Sequence, residues 1–419
     1  MATFAELRDA KPDLWQSAAD DLLAISKQTE RTADNIHANG VKPLEDSWPD
    51  KTGSLARGVL TRVANRMVNA SIMSRGAMSA LDVLQDAVAI AQRQLSAAVN
   101  YATAAQLSVD ANGRVVIPPD IPFEPSLYIS QMNAQRMIDD AIEAATQADQ
   151  ACVEAIAAVS VDPDDVTKAQ AQAHQSTAVH KALEALRNTL PDGLSPMQVR
   201  EWWQSLTPQQ QKDLMRAVPV ELAKLDGIPE DVKKSLRDDG RGYDPVNAVS
   251  WALAHANDTG IDVFNNNCAN FASHALRAGG LKDKMDFWSW GTLDSDNWGT
   301  SPAGDVGVPF IEGKTHTESW YNSDSQRKFF LENGGTQVSV SDARPGDIVY
   351  FDYNDGPGGH PDGVSHHTAI VTAVMPDGEV LYTQHTPGAS NQSLQNRLPM
   401  VEQGEGRQNI TVVRPKETW

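Results

Sequence analysis

Cys268 sits in the polar run Asn265-Asn-Asn-Cys-Ala-Asn-Phe and opens an apolar pattern. Phe271, Ala272, Ala275 and Leu276 follow it at steps of three, four, seven and eight. Those steps define one face of an α-helix, so the thiol falls on the first turn. A helix N-terminus favours negative charge and lowers the pKa of a thiol held there. A thiolate so placed attacks an amide carbon, forms a thioester and is released by water. The reaction needs a base, and His360, His366, His367 and His385 lie downstream. The other cysteine, Cys152, lies in the alanine-rich run QADQACVEAIAAV and reads as a small core residue. No HExxH or Cys-x-x-Cys pattern is present, so no metal or other cofactor is expected.

The elements that would carry these groups fall into two kinds. Residues 1 to about 105 read as a long helical hairpin. Trp15, Ala18, Leu22 and Ile25 lie at helical steps in the first arm, and a turn containing Trp48 follows. The second arm carries the stripe Leu81, Leu84, Val88, Ala91, Leu95, Ala98, the seam of a packed helix pair. A third helix is expected from about 130 to 159, and a fourth from about 165 to 189 with Asp164 or Asp165 as its cap. Residues 195–240 read as a small helical module, with Ser195-Pro196 and Thr207-Pro208 as starts. After Arg241 alanine falls and short extended runs appear: IVYF at 348–351, AIVTAV at 369–374, EVLYTQHT at 379–386 and NITVVRP at 409–415. Helices before strands predict an α+β domain with an antiparallel sheet. The Gly-Asp turn at Gly346-Asp347 reads as structural, the carboxylate bonding nearby backbone N–H groups.

Three of these stretches together resemble a known family. NCANFASHALRAGG, ARPGDIVYFDY and HHTAIVTAV, in that order, are similar to the cysteine helix, Pro-Gly-Asp strand and histidine strand of the putative amidase family, relatives of the papain-like NlpC/P60 and CHAP peptidoglycan hydrolases. The resemblance implies Cys268 as nucleophile and His367 as base, with His366 in reserve. It implies His385 as the residue that orients the imidazole, with Gln384, Asn391 or an aspartate as substitutes. Many relatives carry Asp where this chain has Asn267. The Cys268 backbone N–H is expected in the oxyanion hole, with Asn266, Asn267 and Asn270 as candidate partners. Trp288, Trp290, Trp298 and Trp320 are candidates to line a substrate groove or to pack in a core.

The helical half resembles WXG100-like proteins exported by type VII secretion systems of actinobacteria, with Trp48-Pro-Asp-Lys-Thr-Gly53 in place of Trp-x-Gly. The segment WWQSLTPQQQKDL resembles a module that joins such regions to C-terminal enzymes.

The whole is therefore read as multidomain: a WXG100-like helical domain at 1–190, a linker module at 195–240, and a papain-like amidase domain at 241–419. The expected function is a cysteine amidase or peptidase acting on peptidoglycan or a peptide amide, carried by a secreted bacterial effector or toxin. Its expected partners are a secretion-system component or helical protein and an immunity protein. A protein-glutamine deamidase or transglutaminase-like toxin is one alternative, and a non-catalytic interaction protein is another. With a net charge of −20, nucleic acid and anionic membranes are not expected partners. No apolar run reaches the length of a membrane span, and the N-terminus shows no Sec-type signal. Secretion by a non-Sec route is expected, or otherwise a cytoplasmic location.

Overall fold

The computed structural model describes residues 2–122, 124–285, 295–300, 316–354, 361–394 and 407–419. The chain divides into two compact units, Met1–Lys212 and Asp213–Trp419.

The first unit is helical. It contains α1 (Phe4–Asp9), α2 (Asp13–Ile36), α3 (Lys42–Ser47), α4 (Lys51–Ala104), α5 (Pro125–Val159), α6 (Lys168–Arg187) and α7 (Pro196–Ser205). A two-stranded ribbon, β1 (Ser108–Val109) and β2 (Val115–Val116), lies between α4 and α5. At about 1.5 Å per residue, α4 is roughly 80 Å long. It is the centre of the unit, because α2, α5 and α6 all pack on it. Its seam residues Leu84, Val88, Ala91, Leu95 and Ala98 are buried, but so are Val83, Ala87 and Ile90 on the neighbouring face. The heptad stripe thus marks only one of the faces α4 uses. Alanines 134, 141, 144, 148, 151 and 155 of α5 are buried, and these small side chains allow close approach. In α2 the buried positions are Ala19, Ser26 and Ala33, while Ile25 is exposed. The Ser26 and Ser71 hydroxyls bond each other at 2.8 Å where α2 crosses α4.

The start of α6 differs from expectation. Thr167, not Asp164 or Asp165, caps it, through a reciprocal box with Gln170. Ser195 caps α7 in the same way with Gln198. No helix among the described residues is long and apolar enough to cross a membrane.

The second unit is α+β. The chain passes through α8 (Pro208–Ala217), in which the unit boundary falls, then α9 (Pro219–Lys224), α10 (Glu230–Arg237), α11 (Pro245–His255) and α12 (Cys268–Ala278). Two further helices follow, which we number α13 (Glu318–Tyr321) and α14 (Ser323–Glu332). The strands are β3 (Thr336–Val338), β4 (Ile348–Asn354), β5 (Ser365–Val374), β6 (Val380–Gln384), β7 (Ala389–Ser393) and β8 (Arg407–Arg414). They form one antiparallel sheet in the order β3-β8-β4-β5-β6-β7.

Alternation along the strands gives the sheet two apolar faces. Ile348, Tyr350, Ile370 and Val413 meet Phe271, Ala272, Ala275 and Leu276 of α12 together with Phe329 and Phe330 of α14. Val349, Phe351, Ala369, Val371, Tyr382 and Val412 form a second cluster on the opposite face. The Gly346-Asp347 turn leads into β4. Gly346 has φ +88°, in the left-handed region that favours glycine. The fully buried Asp347 carboxylate accepts from Arg241, from Arg414 at 3.0 and 2.8 Å, and from the Arg344 backbone N–H. Its role is structural.

Candidate active site

Helix α12 starts at Cys268 itself, in the polar run ahead of its apolar face. The Cys268 backbone N–H is already bonded, at 3.3 Å, to the side-chain oxygen of the exposed Asn266. The thiol is 3% exposed and lies against β5. Burial pushes its pKa up. The backbone N–H and hydroxyl of Thr368 and the N–H groups of Ala269 and Cys268 pull the other way without reversing the direction. The expectation of a thiol lowered by its helix N-terminus is therefore corrected: desolvation outweighs the donors, and the resting group is a neutral thiol.

The Thr368 N–H belongs to the peptide that joins it to His367, which sets the sulfur one residue from His367 along β5; the His367 ring itself lies with Phe351, on the face opposite the one that α12 packs against. His367 is 8% exposed, and its ring lies 5.5 Å from that of Phe351. Its Nε2 is 2.8 Å from Gln384 Oε1. The Gln384 amide is itself oriented, because its Nε2 donates to the Pro387 carbonyl at 3.1 Å. With Oε1 as acceptor, His367 Nε2 must donate, which puts the proton-accepting lone pair on Nδ1. His366 stands differently. Phe351 pairs with His367 and Asp352 with Ser365, so His366 is the extra residue of a β-bulge. Its ring stacks on Tyr353 at 4.0 Å.

His385 does not touch His367. Its Nδ1 is 2.7 Å from the Ala256 carbonyl, its Nε2 is 2.6 Å from Asp262, and its ring stacks on Phe271 of α12. Gln384 is the last residue of β6 and His385 the first residue of the turn that follows, so the two neighbours meet different surroundings. Gln384 shares the face of His367, and His385 faces α12. What the chain builds with His385 is a clamp. That residue, together with Thr386, which accepts from the Asn267 N–H at 3.3 Å, ties the end of β6 to the loop before α12. The clamp sets where Cys268 stands relative to β5 and β6. Asn391 accepts from the Thr372 hydroxyl at 2.8 Å, and its backbone N–H donates to Thr383 Oγ1 at 3.2 Å.

The expected oxyanion partners are also engaged. Asn267 is buried, with its side-chain amide bonded both ways to Phe264, donating at 2.6 Å and accepting at 3.1 Å. Asn270 donates to the Ile261 carbonyl at 2.9 Å and accepts from Trp320 Nε1 at 2.7 Å. Both amides act as bolts beneath the helix start. That leaves Asn266 as the asparagine with an exposed side chain at Cys268. Trp298 and Trp320 are fully buried and pack in the core with their rings tilted at 36°, and Trp298 Nε1 donates to Ser273. Core packing is thus their role. Trp288, Trp290 and His360 lie outside the described residues. Among the described residues no group of His, Cys, Asp or Glu is arranged to hold a metal ion.

This geometry lies within a recognisable stretch. Residues 242–412, all within the second unit, match the family model described as "Putative amidase domain". No curated protein and no solved structure matches the chain.

Proposed function

We propose that the C-terminal domain is a papain-like cysteine amidase that hydrolyses an amide bond of peptidoglycan stem peptides or of their junction with the glycan. His367 Nδ1 takes the Cys268 proton as the sulfur attacks the amide carbon. The same proton then passes to the leaving amine, the C–N bond breaks and a thioester remains. Water, deprotonated by His367, cleaves the thioester and restores the thiol. Gln384 holds the imidazole in the Nε2–H tautomer throughout. The Cys268 backbone N–H stabilises the oxyanion once the substrate oxygen replaces Asn266 Oδ1 on it. A neutral resting thiol calls for a general base rather than a standing ion pair, and this reading gives that task to His367.

The observation that carries this reading is a thiol on the first turn of a helix packed on β5, the strand that also holds the His367–Gln384 pair, inside the stretch that matches the amidase model. The helical unit would serve as the export or partner-docking module of a secreted effector, a reading that rests on sequence resemblance. The test is incubation of the full chain with purified sacculi and mass spectrometry of the released fragments. Wild type should release fragments with new amine and carboxyl ends, and Cys268→Ala should release none. Equal release by Cys268→Ala would refute a cysteine mechanism.

A further inference from the structure

The first third of α4 turns three apolar side chains to solvent. Leu55 is 65% exposed, Val59 49% and Val63 40%. Spaced by four residues, they lie on one face of the helix, and Lys51, Arg62 and Arg66 fall on the same face. No acidic residue occurs from Lys51 to Leu81, in a chain whose net charge is −20. The segment thus carries a ridge, apolar along its crest and basic at its flanks. Roughly eight turns further on, the same face of α4 becomes a groove. Leu84 lies at that spacing from Leu55, and Val88 from Val59. Leu84 and Val88 form the floor, with Leu14 and Trp15 of α2 on one side and Ala145 of α5 on the other, around a cavity of about 450 Å³. Leu14 is 67% exposed. Glu6 and Asp149 line the groove against Lys11, and the exposed Asp13, Asp20 and Asp21 of α2 add to the acid around it.

Helix α4 is continuous from Lys51 to Ala104, so ridge and groove are held roughly 40 Å apart and cannot meet within one molecule. Two molecules can bring them together. With the two α4 helices antiparallel, each ridge faces the other's groove, apolar against apolar and basic against acidic. Both contacts are then the same, and the assembly closes at two copies. We infer that the helical unit pairs with a second copy of this chain, the Leu55–Val63 ridge of each copy seated in the groove between Leu14 and Val88 of the other. A second copy is the occupant because this one chain carries both the ridge and a groove of matching face and opposite charge.

Sedimentation velocity of the full chain across the micromolar range should show a dimer. The ridge variant Val59→Glu/Arg62→Glu sets acid against acid, and the groove variant Leu14→Lys/Asp149→Lys sets base against base. Each should weaken self-association at least about a hundredfold. Mixed in equal amounts, the two should recover a dimer holding one of each, because one contact is then native and the other is reversed on both sides. A monomeric wild type, which would leave this face to a different protein, overturns the inference. So does a variant that dimerises unchanged, or a mixture that stays monomeric. If either double variant loses its helical circular-dichroism signal, Leu55→Gln decides: self-association about tenfold weaker is expected, and an unchanged constant overturns the pairing. Sedimentation reads no catalysis, so failure of the cysteine mechanism in the other unit would leave these outcomes as they stand.

Discussion

The contrast between the two cysteines gives the sharpest test of the site. Cys152 is the internal reference. Burial in the helical unit, helped by Asp149, pushes its thiol up to about 11. At about pH 7.5 some 3 in 10,000 such groups are ionised, against roughly one in ten for a solvent thiol near 8.5, a factor of about 300. The more basic thiolate recovers about 10–20-fold through greater nucleophilicity. Cys152 should therefore alkylate about 15–30-fold more slowly than a solvent thiol. Burial raises Cys268 as well, so without a base it too should react slowly. With His367 accepting its proton, Cys268 should outpace Cys152 by about tenfold or more, since positioned bases contribute about 10²–10⁴-fold in reaction. The measurement is site-resolved mass spectrometry of iodoacetamide labelling in wild type and in His367→Ala. Histidine removal should bring Cys268 down to the Cys152 rate. Equal rates in wild type, or a Cys268 rate indifferent to His367, would refute the assignment of nucleophile and base.

Gln384 and His385 should separate cleanly. Gln384→Glu places a carboxylate beside His367, favours its protonated form and so moves the rising limb of the pH–rate profile to higher pH. His385→Ala should leave that limb in place and lower the melting temperature, because it removes the clamp to Ala256 and Asp262; an unchanged profile in Gln384→Glu would count against its role. Asp347→Ala removes the buried carboxylate shared by Arg241 and Arg414, leaving Arg241 its pair with Asp239, a change that costs about 3–5 kcal/mol. The transition of the C-terminal unit should fall by roughly 6–20 °C in calorimetry, and a shift under about 2 °C would contradict a structural network. In the helical unit, a Cβ at Gly53 would lie 1.9 Å from the Trp48 carbonyl oxygen. Gly53→Ala should cost about 1–3 kcal/mol or more and speed amide exchange in the first turns of α4; unchanged exchange would show that the turn accommodates it.

Much of this molecule is legible in the chain because its signals are local. The steps from Cys268 to Leu276 give α12 and place the thiol on its first turn. Apolar runs give β4, β5, β6 and β8, and Gly346-Asp347 gives the turn before β4. Strands β3 and β7 are not legible: Thr336–Val338 is short, and Ala389–Ser393 is polar. Edge strands have no second neighbour to bury against, so they leave no apolar pattern. Capping of α6 by Thr167 rather than an aspartate, and the burial of α4 on more than one face, likewise depend on which helices arrive beside them.

At the site itself the division is sharper. The sequence by itself determined the nucleophile candidate, the histidines within reach and the order of their elements, because periodicity and resemblance are properties of the chain alone. Only the tertiary structure decided which neighbour does what. The run EVLYTQHT does not say that β6 ends at Gln384 and that His385, in the turn after it, meets α12. The sheet's packing turned Gln384 to His367 and His385 to Asp262. Packing also committed Asn267 and Asn270 to internal bonds, and it buried Cys268 deeply enough for desolvation to overcome its helix N-terminus. Hydrogen-bond partners and dielectric environment are set by residues distant in sequence, and in this chain they are the terms that separate the surroundings of His367 from those of His385.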